Sequence, residues 1–394
     1  MNDTDQNDSC PCGSGLAFNV CCGVPGRQAV NADVMLTVAS DGGIAAGTPT
    51  PQLQTALAAI DSSPDLFPAR INFADNKAWF VKMSPRWYRE SVFLDPMRIK
   101  GTYVVETPLA WLQSVCDRIN RQPMAFIFHT AFCGSTLMAQ ALEAMFRCLP
   151  LREPEVLGNV QYYLQMPGVA AEQKQAWFDR VLRLLSRRYE AQQGVVVKAN
   201  DFANPVMGEL LRWDHDVPLL FMYTPLDQFV AGCLKAESRR EWIHGRYQSI
   251  KTNVPALLNM PEALEPETTA YGEMAAIYWS YNIALLLQAR EHDATHLRTL
   301  DFNRMLEQPL AAVQACGQLL GLQPLAGVDT QVEIDKLFGV YSKNSKFNYS
   351  PQQRSADIER VLADNKQHLE AAEVLAQRLL GEAYPAQGLP DSLI

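Results

Sequence analysis

Seven consecutive residues, Thr130 to Thr136, bring two threonines, a serine, a cysteine and a glycine together directly after the apolar run Ala125 to Phe128 and His129. Small and hydroxylated residues let a backbone wrap an anion. A helix starting there turns free N–H groups and about half a positive charge toward it. Thr130, Cys133, Gly134, Ser135, Thr136 and Leu137 are the predicted cradle, with a phosphate or sulfate as guest. A second cluster stands near the start of the chain: Cys10, Cys12, Cys21 and Cys22 fall within thirteen residues, beside Gly13, Gly15 and Gly23. Four thiolates satisfy a tetrahedral zinc ion. So short a unit has no core of its own, which makes the metal its source of stability.

The elements that position these groups follow from hydrophobic spacing. Leu137, Met138, Ala141, Leu142, Met145 and Phe146 recur at helical intervals, so the cradle lies between a buried strand and a helix. Further on, the short β-branched or apolar runs Gly194 to Lys198, Pro218 to Tyr223 and Leu297 to Asp301 alternate with longer helical stretches. That alternation predicts an α/β fold with a parallel sheet flanked by helices. Ligands of such a sheet sit at the carboxyl ends of its strands, where His129, Lys198 and Tyr223 would cluster. Leu306 to Leu320 is a predicted helix with Pro309 in its first turn and Gly321 at its end, and Asp357 to Leu380 is a longer one. Ahead of the cradle, Ile71 to Val105 reads as short strands or a hairpin, and Thr107 to Asn120 as a helix. Residues 26 to 60 read as a linker with a short helix near its end. Three regions result: a zinc knuckle at 1–25, a linker with a small α+β region at 26–122, and the α/β domain at 123–394.

The chain has 394 residues, a net charge of -9 and no long Lys/Arg run, which argues against an extended nucleic-acid surface. No apolar run approaches the ~20 residues that span a bilayer, and Met1 to Ser9 is too polar and acidic for a secretory leader. Of the nine cysteines, five lie scattered in apolar sequence, a usage that fits metal plus buried thiols in a reducing cytoplasm.

The order and spacing of Cys10, Cys12, Cys21 and Cys22 resemble the SEC-C zinc motif, in which the last ligand is often His where Cys22 stands here. That resemblance implies structural zinc and docking of a protein partner. The cradle lacks the Gly-Lys-Ser/Thr of nucleotide hydrolases, whose lysine neutralises terminal phosphates; the triplet here is Gly134-Ser135-Thr136. Cys133-Gly134-Ser135-Thr136-Leu137 looks instead like the 5'-phosphosulfate loop of sulfotransferases, a P-loop relative. Val195 to Asn200, Leu220 to Asp227, and His296 to Phe302 followed by Leu306 to Leu322 resemble that family's later segments in the same order, over about residues 123 to 350. The resemblance implies 3'-phosphoadenosine 5'-phosphosulfate as donor and a hydroxyl on a small molecule or peptide tyrosine as acceptor.

Residue by residue, the resemblance makes Lys198 the cation beside the acceptor and places Asn200 where cytosolic members carry a catalytic histidine. Tyr223 and Ala231 replace the arginine and serine that hold the 3'-phosphate. Phe132 replaces the basic residue two places before the loop glycine, so positive charge must come from elsewhere, and Lys198 is the candidate. For the 3'-phosphate the nearby cations are Arg239, Arg240 and Lys235, and Lys343 and Lys346 in a late polar loop, against the competing reading of solvated surface charges, which weighs more for the lysines than for the arginines. Glu153 is the first candidate for the base and His129 the second. Their competing structural roles are a carboxylate at a helix N-terminus and a hydrogen-bonding histidine at a strand end. Two other readings stand beside this one: a P-loop phosphotransferase using a nucleoside triphosphate, and a non-catalytic binding module recruited through the zinc knuckle.

Overall fold

The computed structural model describes residues 51–95, 98–100, 102–214, 216–254, 257–258, 270–292, 294–339 and 351–394. In chain order these form α1 (Pro51–Ser62), β1 (Leu66–Asn72), β2 (Lys77–Lys82), α2 (Pro85–Glu90), β3 (Thr102–Pro108), α3 (Leu109–Cys116), β4 (Met124–His129) and α4 (Ser135–Met145). Next come β5 (Cys148–Arg152), α5 (Glu155–Gln165), α6 (Ala171–Leu185), β6 (Gly194–Lys198), α7 (Val206–Trp213), β7 (Leu219–Tyr223), α8 (Leu226–Leu234) and α9 (Glu237–Ile250). The chain continues with α10 (Tyr271–Arg290), β8 (Leu297–Asp301), α11 (Phe302–Glu307), α12 (Pro309–Leu319), α13 (Thr330–Phe338), α14 (Pro351–Asp364) and α15 (Lys366–Leu380). Among the described residues, no helix is long and apolar enough to cross a membrane.

Two compact units divide these elements. One takes the described residues up to Pro123 together with Leu151–Val195, and the other Met124–Pro150 with Val196–Ile394, so β5 and β6 straddle the division. The first unit carries the antiparallel sheet β1-β2-β3, with the expected hairpin between β1 and β2. Ser84 starts α2 by accepting the Trp87 N–H at 3.2 Å, ahead of Pro85 at the first helical position. Two buried guanidiniums tie this unit together through backbone carbonyls. Arg187 donates to Leu184, Ile60, Ser63 and Leu66 at 2.6 to 2.8 Å. Arg152 donates to Arg89 at 2.9 Å and Ser91 at 3.2 Å, satisfying carbonyls at the end of α2.

The five-stranded parallel sheet has the order β5-β6-β4-β7-β8. Phe126 to His129 pair in register with Leu219 to Met222, and Leu219 to Tyr223 with Leu297 to Asp301. β4 and β7 are buried at every position, the pattern of a central parallel strand covered on both faces, which is why they read as unbroken apolar runs. Ile127, Leu220 and Met222 share one core with Met138 and Leu142 of α4 and with Met305, Val313, Cys316 and Ile334 further on. At the other edge, the last residues run beside β8: Thr299 N–H donates to the Asp391 carbonyl at 2.9 Å and Leu393 N–H to Thr299 at 2.8 Å. That edge is therefore paired.

Two expectations are corrected and one strand is added. The helix expected over 306–320 is two, α11 and α12, because Pro309 has no N–H to donate and opens a new helix at its first position. The helix expected over 357–380 is likewise two, with Asn365 between α14 and α15 donating its side-chain amide to the Val361 carbonyl at 2.8 Å. β5 was not expected at all, since Pro150 argues against a strand interior.

Candidate functional site

The cradle begins where β4 leaves the sheet. Thr130 N–H still donates to the Met222 carbonyl at 3.1 Å, continuing the strand, and its hydroxyl accepts the Thr224 N–H at 3.3 Å. Beyond it the backbone turns left-handed at Ala131 (φ 72°), Phe132 (φ 55°) and Gly134 (φ 73°). For alanine and phenylalanine that conformation costs about 1–3 kcal/mol each and persists only where surroundings impose it. Gly134 is the residue before α4 and has no side chain to cap the helix; the Ser135 N–H turns to the Cys133 sulfur, and the N–H groups that follow in the first turn have no partner within the helix. Glycine is also required there for space: a Cβ at Gly134 would lie 2.5 Å from Met305 Cε and 2.8 Å from Phe302 Cε2, both on α11. Ser135, Thr136 and Leu137 then form the first turn, nearly buried.

His129 is held by both ring nitrogens. Nδ1 accepts the Ala131 N–H at 3.0 Å, and Nε2 lies 2.9 Å from the Ala199 carbonyl, so Nε2 carries the proton and the ring is neutral. This arrangement helps to fix the turn at Ala131 and gives the ring a structural use. Asn204 donates its amide to the His129 carbonyl at 2.9 Å and to Asn282 on α10 at 2.5 Å. Burial pushes the Cys133 thiol up to about 11, against the lowering effect of the Ser135 N–H, Lys198 and the Ser135 hydroxyl. A thiol so held is not the activated nucleophile that its place at a helix start could suggest.

Lys198 closes β6, 1 % exposed, and its charge is felt at Cys133, so strand end and loop are neighbours as the sequence predicts. Asn200 caps the turn Asp201–Ala203 by accepting the Ala203 N–H at 3.0 Å. Tyr223 accepts the Leu389 N–H at 3.2 Å, and burial raises its phenol, helped by the Asp301 carboxylate. Ala231 is buried within α8. Arg239 and Arg240 open α9: Arg239 Nη1 donates to the Gly232 carbonyl at 3.1 Å, and Arg240 Nη1 to Leu234 at 3.3 Å. The Arg239 guanidinium lies 4.4 Å over the Phe132 ring, which also packs on Trp242 and Phe229.

Glu153 belongs to the first unit. It has a left-handed backbone (φ 53°) and precedes Pro154, the residue before α5. Lys343 and the four cysteines expected to hold zinc lie outside the described residues. Among the described residues, no group of three His, Cys, Asp or Glu side chains is placed to hold a metal.

One network escaped the sequence. Asp201, buried just past β6, accepts the Tyr278 hydroxyl at 2.6 Å and pairs with Arg246 at 2.8 Å. Arg246 lies over Trp242 and Phe202. The available signal was the spacing of Arg239, Trp242 and Arg246, which places all three on one face of α9.

The SEC-C motif model matches residues 7–23 of the chain. No curated protein matches. Among solved structures, the sulfotransferase from Alicyclobacillus acidocaldarius is similar at 16% identity and a TM-score of 0.33, over 66% of this chain and 98% of that one.

Proposed function

We propose that the β4–α4 loop binds the phosphosulfate of 3'-phosphoadenosine 5'-phosphosulfate and that the chain transfers its sulfuryl group to a hydroxyl acceptor. The carrying observation is the loop itself. An uncapped helix start, three left-handed residues and small hydroxylated side chains stand beside the buried Lys198. N–H groups and hydroxyls suit a tetrahedral anion, and a lysine in a water-poor position stabilises charge developing on the leaving phosphate. In the transfer, the acceptor oxygen bonds to sulfur while the bridging S–O bond breaks, its electron pair leaving with the 5'-phosphate. The acceptor's proton goes to a base, the role the sequence resemblance gives to Glu153. Since both nitrogens of His129 are engaged, a part in shaping the loop fits it better than that of base.

Isothermal titration with adenosine 3',5'-bisphosphate tests the donor: micromolar binding, reduced at least tenfold by Lys198→Met, is the expected result. No binding at millimolar ligand removes the reading. The engagement of Tyr223 by Leu389 and of Asn200 by Ala203 favours the non-catalytic binding module as second reading. Nucleotide binding without sulfuryl transfer to any of a panel of phenols, sugars and tyrosine peptides would select it. For the N-terminal cluster, four thiolates at knuckle spacing suit zinc. Metal analysis of the full chain should give one zinc, lost in Cys10→Ser/Cys12→Ser, and a metal-free wild-type chain would end that assignment.

A further inference from the structure

We infer that Arg239 supplies the cation of the anion loop and that Phe132 is its platform, an inference that rests on the loop being the anion site. The loop Thr130 to Leu137 contains no cationic side chain, so a doubly charged guest held there needs positive charge from other elements. The guanidinium of Arg239 comes from α9, lies 4.4 Å over the Phe132 ring and donates Nη1 to the Gly232 carbonyl. A cation over an aromatic face keeps its in-plane N–H groups free to point past the ring edge, unlike a cation buried in an ion pair.

The platform is itself built. Phe132 accepts a left-handed backbone, φ 55°, and its ring is fixed by Trp242 at 4.8 Å and Phe229 at 5.8 Å between centroids. Gly232 on α8 lies alongside both groups: a Cβ there would make ordinary van der Waals contact with the Phe132 ring at 3.5 Å and with Arg239 Nη1 at 3.7 Å. A second observation points to a ligand at these strand ends. The Thr224 hydroxyl, 2 % exposed, has no hydrogen-bond partner among the described residues, while the Thr224 N–H bonds the loop's Thr130. Arg246, on the same face of α9, is committed to Asp201. Arg239 has no carboxylate within ion-pair distance among the described residues, and a bound anion would be its counter-charge.

Inorganic pyrophosphate is the probe, because it reports on the loop without any adenosine contact. Titration calorimetry at low and moderate salt compares the wild type with Arg239→Gln, Phe132→Leu and Lys251→Gln, the last at the exposed end of α9, each checked for an unchanged circular dichroism melt. Arg239→Gln should weaken pyrophosphate about ten- to a hundredfold, the loss typical of one charge-assisted contact, and flatten the salt dependence. Phe132→Leu should weaken it less, by misplacing a cation that is still present, and Lys251→Gln should leave it unchanged. Equal binding by Arg239→Gln and wild type overturns the inference, and so does an equal loss in Lys251→Gln, which would mean a general field of α9. If Arg239→Gln does not fold, Arg239→Lys decides the matter: it must retain part of the affinity. A wild type that ignores pyrophosphate refutes both readings, whereas one that binds pyrophosphate and not adenosine 3',5'-bisphosphate refutes only the donor.

Discussion

Gly134→Ala should destabilise the unit that carries the loop by about 3 kcal/mol, and the two causes can be separated. The first is conformational: at φ 73° an alanine sits left-handed, which costs about 1–2 kcal/mol. The second is steric, because the added Cβ would stand 2.5 Å from Met305 Cε and 2.8 Å from Phe302 Cε2, an overpacking worth about 1–3 kcal/mol. Gly321 provides the control. It lies in the same unit at φ 66°, and a Cβ there meets nothing within 4 Å, so Gly321→Ala should cost only the first amount. Urea denaturation followed by tryptophan fluorescence gives both values from the same transition.

The steric share has its own check. Met305→Leu removes the terminal methyl that stands nearest, at a cost of under about 1.5 kcal/mol by itself. Combined with Gly134→Ala it should recover about 1 kcal/mol in a double-mutant cycle, the remainder being the clash with the stiffer Phe302 ring. If Gly134→Ala is no worse than Gly321→Ala, or if the cycle shows no coupling, then α11 does not press on the loop as described. The account of why glycine stands at this position would then fail.

Gly317 inverts the usual expectation for a helical glycine. Gly245→Ala, exposed within α9 with open space around it, should stabilise by up to about 1 kcal/mol, whereas Gly317→Ala should destabilise by about 1–3, since its Cβ would run into the Phe146 ring; a stabilising Gly317→Ala in the same urea assay refutes that packing. Arg187→Met should cost about 3–5 kcal/mol in the first unit by orphaning four carbonyls, and a loss under 1 kcal/mol would show that water replaces the guanidinium. Cys133, with its thiol pushed up to about 11, holds roughly one part in a thousand as thiolate at pH 8. Iodoacetamide at that pH should leave it unmodified in the folded protein and label it in urea, as read by peptide mass spectrometry, and labelling at similar rates would restore the nucleophile reading.

The central strands around the loop were legible because parallel strands there are buried on both faces, so β6, β4 and β7 appear as short apolar runs. β5 was not legible, since Pro150 sits in a strand whose every residue is buried. The helix α10 was also missed for a physical reason: fourteen of its twenty residues are buried, on all sides, so it carries no amphipathic period to read. Contacts made by α9 were hidden in another way. Its face of Arg239, Trp242 and Arg246 has meaning only against Phe132, Phe202 and Asp201, partners that no local spacing reveals.

Phe132 shows what this does to a functional argument. Taken alone, a phenylalanine in a loop that must hold an anion is a charge lost, and it argues against chemistry. With the Arg239 guanidinium lying on its ring, the same residue reads as a charge displaced by one element. Loss and displacement leave the same mark at position 132, and only the occupant of the ring face tells them apart. The same test applied to Tyr223 gives another answer. Its hydroxyl is taken by Leu389 and Asp301, and the cation whose charge reaches it is Arg304. On the proposed reading the anion loop would draw its positive charge from Lys198 and Arg239, whereas Tyr223, which stands where the sequence resemblance expects an arginine, is already engaged by Leu389 and Asp301.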